Sequence, residues 1–204
     1  MMLASRACSE TGAPAAGAGA IADKLAENDF TTVRLLGATG AEAVGAMEQI
    51  RQAAEAAGPL RLIYMSGFGM CFNDDIVLFA EDMQPEQYKS GEIGSVVVPL
   101  SLVVEAASAG AERTLVVFDT TPRQCTRDMV NSVKLPENTV LLVTTAIGGD
   151  IVDEIDEGGM SAFASAFVDS FAAGRPIKDI VADVVAEIRA TTEDQQVPIV
   201  VGEP

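Results

Sequence analysis

The chain has 204 residues, 49% of them apolar but only 5% aromatic, with no tryptophan, so Val, Ile, Leu and Ala must fill any core. Its formal charge of −17 argues against nucleic acid and anionic membranes, which are held by Lys and Arg, and favours either plain solubility or a basic partner. There is no histidine, so any mechanism that needs an imidazole base or ligand from this chain is excluded.

In chain order, "MMLASRA" (1–7) reads as a short first strand. Residues 16–29 place Ile21 and Leu25 four apart on one helical face, with Asn28 and Asp29 as a stop. "TTVRLL" (31–36) is β-branched and apolar, hence a strand. Residues 37–58 form a helix: Thr39 and Glu42 have capping-box spacing, Val44, Met47 and Ile50 keep the helical period, and Gly58-Pro59 end it. Leu60–Ser66 is a strand apolar enough to be buried on both faces, feeding a small Ser-Gly-Phe-Gly turn. "DDIVLFAEDM" (74–83) is a hairpin arm, residues 98–112 are a helix, and 113–119 and 139–146 are core strands. In 161–174, Phe163, Phe167 and Phe171 recur every four residues, a core-packing stripe. Residues 177–192 form an amphipathic helix and 197–202 a last strand.

Strands that alternate with helices and are apolar throughout predict a mainly parallel sheet covered on both faces, folded as one domain over 1–204. Ligands of such sheets bind beyond the carboxyl ends of the strands. Three strand ends carry candidate polar residues: Ser66 to Gly69, Asp119-Thr120-Thr121, and Thr144-Thr145. They are expected to meet at one edge.

Cys8, Cys71 and Cys125 are too few and too scattered for a disulfide framework, and none forms a Cys-x-x-Cys pair for zinc. Without a secretory leader or a segment near the ~20 apolar residues of a membrane helix, the expectation is a cytoplasmic protein with reduced thiols. Cys71 reads as a small core hydrophobe. Cys125, between Arg123 and Arg127, is a weak candidate for a relocated nucleophile, since it has no imidazole partner.

In this order the pieces resemble the caspase-like cysteine peptidases, in particular their bacterial metacaspase or orthocaspase type. The resemblance rests on "YMSGFG" (64–69), "VVFDTT" (116–121), "LFAEDM" (78–83), "GGMSAFASAFVDSF" (158–171) and "DQQVPIVVG" (194–202). It implies a three-layer α-β-α sandwich around a mainly parallel six-stranded sheet. It also implies a general-base His after the third strand and a nucleophilic Cys after the fourth. Phe68 and Thr121 stand at those two positions. An internal threonine without a base is a poor nucleophile, and loss of such a dyad costs on the order of 10⁶ in turnover. The expectation is therefore a pseudopeptidase that binds, regulates or assembles.

The resemblance further implies oxyanion-type amides at Gly69 and Thr121, an acidic pocket for Arg or Lys side chains built from Asp119 and Asp82, and either a monomer or a homodimer through the last strand. An active caspase-like peptidase is a further conceivable partner. The alternative is a divergent hydrolase or a calcium-responsive member of the family. No cofactor is expected; for calcium, the weak hard-cation candidates are Asp74-Asp75, Glu81-Asp82 and the acidic run 149–159.

Overall fold

The computed structural model describes residues 2–4, 13–52, 60–84, 86–87, 96–123, 125–144 and 159–204. The acidic run predicted as a weak cation candidate falls, except for Gly159, outside the described residues, as do Cys8 and Thr145.

The strands are β1 (Met2–Ala4), β2 (Arg34–Leu36), β3 (Leu60–Phe72), β4 (Asp75–Phe79), β5 (Val97–Pro99), β6 (Arg113–Arg123), β7 (Thr139–Val143) and β8 (Ile199–Val201). The helices are α1 (Ala13–Ala26), α2 (Gly40–Gln52), α3 (Leu100–Ser108), α4 (Arg127–Asn131), α5 (Ala162–Ser170) and α6 (Ile177–Thr191). The main path of the sheet runs β2-β1-β3-β6-β7-β8, six strands, and β4 and β5 form an antiparallel wing on the far part of β3. Strands β2, β1, β3, β6 and β7 are mutually parallel, and β8 runs antiparallel to β7. This is the sandwich expected, with a mixed sheet.

Period-two alternation divides the core into two layers. Ile63 and Met65 of β3, Val116 and Phe118 of β6, and Leu141 and Val143 of β7 face α2, α3 and α4 through Met47, Val103, Val104 and Val130. Their neighbours Leu62, Tyr64, Leu115, Val117, Val140 and Leu142 face α1, α5 and α6. The predicted Phe stripe packs here: Phe163 and Phe167 stack at 5.8 Å, and Phe167 and Phe171 at 5.2 Å. Ile21 and Leu25 are buried on α1 as their spacing required.

The capping box of α2 forms as predicted. The Thr39 amide donates to Glu42 Oε2 at 2.9 Å, and the Glu42 amide donates to Thr39 Oγ1 at 3.3 Å. The Thr39 amide, and after it the Thr39 hydroxyl that donates to Glu42 Oε2 at 2.8 Å, hold the Glu42 carboxyl below its ordinary range. The stripe of α2 is shifted, however: Gly40, Ala43 and Met47 are buried, while Val44 is exposed. The short residues let the helix lie close to the sheet, so Val44 rotates outward.

Three boundaries differ from expectation. Ser66 to Gly69 is not a turn, because β3 continues through it to Phe72 and reverses at Asn73 and Asp74, both at positive φ. The strand starting at Arg113 runs on to Arg123. The helix expected from residue 98 starts at Leu100, because β-branched Val97 and Val98, with Pro99, pair with β4. Long-range pairing supplied hydrogen bonds that local sequence could not signal.

Candidate functional site

The extended tips of β3 and β6 run side by side. In their register Ser66 lies opposite Asp119, Gly67 opposite Thr120, and Phe68 opposite Thr121. Neighbouring strands lie about 4.8 Å apart, so the two positions at which the resemblance expects a base and a nucleophile are direct neighbours. Phe68 is partly buried and packs with Phe72 and Met83 on a small apolar cluster of Met70, Val77, Phe79, Val96 and Val97. A phenyl ring has no proton to exchange, so its role is packing.

Gly69 is paired on both flanks, with Leu78 of β4 and Pro122 of β6. Its peptide group therefore lies between two paired strands of the sheet. A Cβ here would sit 2.8 Å from the Val77 carbonyl oxygen, which is why the position takes glycine. On β6, pairing with β7 ends at Phe118 opposite Val143, followed by a bond from the Thr144 amide to the Phe118 carbonyl at 3.3 Å. Beyond that point the strand carrying Thr121 is flanked, among the described residues, by β3 alone.

Asp119 is the electrostatic centre. It is 8% exposed and accepts three hydroxyls: Tyr64 at 2.6 Å and Ser161 at 2.5 Å on Oδ2, and Thr144 at 2.6 Å on Oδ1. A carboxylate has about four acceptor positions, so three are filled. Burial pushes its carboxyl above the ordinary range, against the three donors that pull it down. Tyr64 is pushed well above the usual phenol range, first by burial and then by the Asp119 charge. Ser161 also accepts from the Ala164 amide at 3.1 Å and so caps α5. The strand ends thus meet as expected, but around a satisfied internal network. Tyr64 and Ser161 were not singled out in the sequence, since a tyrosine inside an apolar strand carries no local signal of a partner 55 residues away. Beside the network, the buried Thr120 Oγ1 has no hydrogen-bond partner among the described residues.

The second acid of the implied pocket serves another element. Asp82 Oδ1 accepts from the Gly40 amide at 3.0 Å, at the positive N-terminus of α2. Asp74 occupies the positive-φ turn after β3. Asp75 is bound by Ser101, whose Oγ donates at 2.5 Å and whose amide lies 3.4 Å from both carboxylate oxygens. Among the described residues no cluster of three or more acid, Cys or His side chains is placed to hold a metal ion.

The cysteine expectation is corrected. Cys71 and Cys125 form a disulfide, with Cα atoms 5.1 Å apart across 54 residues of sequence. While the bridge is closed neither is a free thiol, and Cys125 is not available as a relocated nucleophile. Only the parallel pairing of β3 with β6 brings these residues together. Disulfides persist chiefly in oxidising surroundings, which runs against the reduced-thiol expectation. No helix among the described residues is long and apolar enough to cross a membrane.

No family model matches this sequence, and no curated protein does. Among solved structures, the chain is similar to caspase-1 from Spodoptera frugiperda, with a TM-score of 0.69 and 10% identity over 98% of this chain and 84% of the other. At that identity the likeness is one of architecture: the chain has a caspase-like α/β sandwich fold.

Proposed function

We propose that this chain is a caspase-fold protein without peptidase chemistry, a relative of the metacaspase type that works as a binding, regulatory or assembly module. One observation carries the reading: Phe68 and Thr121 are register neighbours at the strand tips, in a chain with no histidine. A hydroxyl there has no base to take its proton. The alternative, a divergent hydrolase with a displaced nucleophile, loses support because the Cys125 sulfur is bonded to Cys71.

The net charge of −17 supports a basic protein or peptide as the partner. Three hydroxyls already occupy most of the Asp119 carboxylate, which is buried, so this reading gives capture of a basic side chain to exposed acids such as Glu81 and Asp82. An active caspase-like peptidase is one candidate class of partner, and co-purification from the native cell tests it.

The catalytic reading is tested with Arg- and Lys-terminated fluorogenic peptides, with and without calcium. The expected result is no release above buffer. Turnover that disappears in Thr121→Ala would overturn the proposal.

A further inference from the structure

The tip of β6, residues 119–123, is held in an unusual way. Its ladder to β7 has ended at Phe118, leaving β3 as its one strand neighbour among the described residues. The final register pair is Met70 with Arg123. Cys71 is the next residue of β3, and Cys125 follows two residues after Arg123, so the disulfide closes the ladder just past its end. Asp119 is held by Tyr64, Thr144 and Ser161; beyond it, the bridge is the second anchor of a segment that otherwise has the character of an edge strand. By contrast, Gly69 and Met70 of β3, opposite Pro122 and Arg123, are sandwiched between β4 and β6.

Both cysteines are almost fully buried, 7% and 5% exposed, within the layer that includes Ile76, Leu78 and Val130. A reduced thiol is a small, weakly polar group that packs well in such surroundings. Breaking the bridge removes a covalent tether without placing a charge or a strong hydrogen-bonding group in the core. The expected consequence is local: the β6 tip frays while the sheet around it persists.

We propose that the Cys71–Cys125 disulfide is a redox latch on the tip of β6, which holds position 121 against β3 when oxidised and releases residues 120–123, beyond the anchored Asp119, when reduced. The reductant is a dithiol. Its two thiols give up two electrons and two protons, its own sulfurs join, and the Cys71–Cys125 bond is cleaved to two thiols. This inference concerns the mobility of the strand and stands whether or not the cleft turns over any peptide.

Hydrogen exchange read by mass spectrometry on the full chain tests the latch, in a Cys8→Ser background to prevent thiol shuffling. Protein equilibrated with oxidised glutathione is compared with protein treated with dithiothreitol, and with Cys71→Ala/Cys125→Ala as an unreactive mimic of the released state. The expected result is at least tenfold faster exchange in peptides covering 120–123, in both the reduced protein and the double variant. Peptides from β3 residues 60–66 and from β7 should keep their protection, and reoxidation should restore the slow rate. Three results would each overturn the proposal: alkylation of both cysteines in the oxidised sample, unchanged protection at 120–123 on reduction, or loss of protection throughout the sheet.

Discussion

Asp119 shows how much one carboxylate can organise. It joins β3 through Tyr64, the end of β7 through Thr144, and the first turn of α5 through Ser161. Because burial raises its folded-state affinity for a proton, the folded chain binds more protons than the unfolded chain between the ordinary carboxylate range and the raised value. Its contribution to stability is then complete below about pH 4, the unfolded value, and is lost as pH rises through the folded one. Tyr64, also displaced upward, stays protonated throughout that window. Asp119→Asn keeps the shape and removes the titration. In urea unfolding from pH 3.5 to 8, the wild type is expected to lose stability relative to Asp119→Asn as pH rises, and the difference then levels off. A wild type that instead gains stability relative to Asp119→Asn as pH rises would mean that the three hydroxyls outweigh burial.

At the scale of elements, α1 meets the sheet through a glycine. A Cβ at Gly17 would come within 3.0 Å of the Ala164 Cβ on α5 and 3.1 Å of the Tyr64 hydroxyl. Alanine in place of glycine favours a helix interior by about 1 kcal/mol. Here neither neighbour gives way freely, since the Tyr64 hydroxyl is bound to Asp119 and Ala164 sits in the first turn of α5. Overpacking of this kind costs about 1–3 kcal/mol. Gly17→Ala is therefore expected to lower the urea midpoint despite its better propensity, and by less in a Tyr64→Phe background than in the wild type, a difference the double-mutant cycle reads. The same scale explains what the sequence left hidden at the site. "SGFG" carries the composition of a turn, but β6 pairs with all four residues, with β1 beside Ser66 and β4 beside Gly69, and holds it as strand. Thr39 and Glu42, by contrast, were legible because both halves of their contact lie within four residues.

For the whole molecule, the charge of −17 makes self-repulsion a general term against compactness. Among the described residues the ion pairs, Arg51–Glu48, Arg175–Asp183 and Arg189–Asp194 among them, lie at the surface, where water and salt screen them and each contributes little. Raising sodium chloride from 10 mM to 0.5 M shortens the screening length to a few ångströms. It is expected to raise the melting temperature by several degrees, because relief of repulsion exceeds the loss of these pairs. A falling melting temperature would show that the exposed pairs dominate.

By itself the sequence determined the alternation of strands and helices, the two-faced core, the Phe stripe of α5, the cap of α2 and the lack of an imidazole. Each of these depends on residue type or on a spacing within one or two helical turns. Only the tertiary structure decided that β3 and β6 run on in register past their apolar segments, that Cys71 bonds to Cys125, and that three hydroxyls consume the Asp119 carboxylate. Those contacts join residues 25 to 55 positions apart. No local period encodes them, because they exist only once the sheet has brought distant strand ends to a common edge.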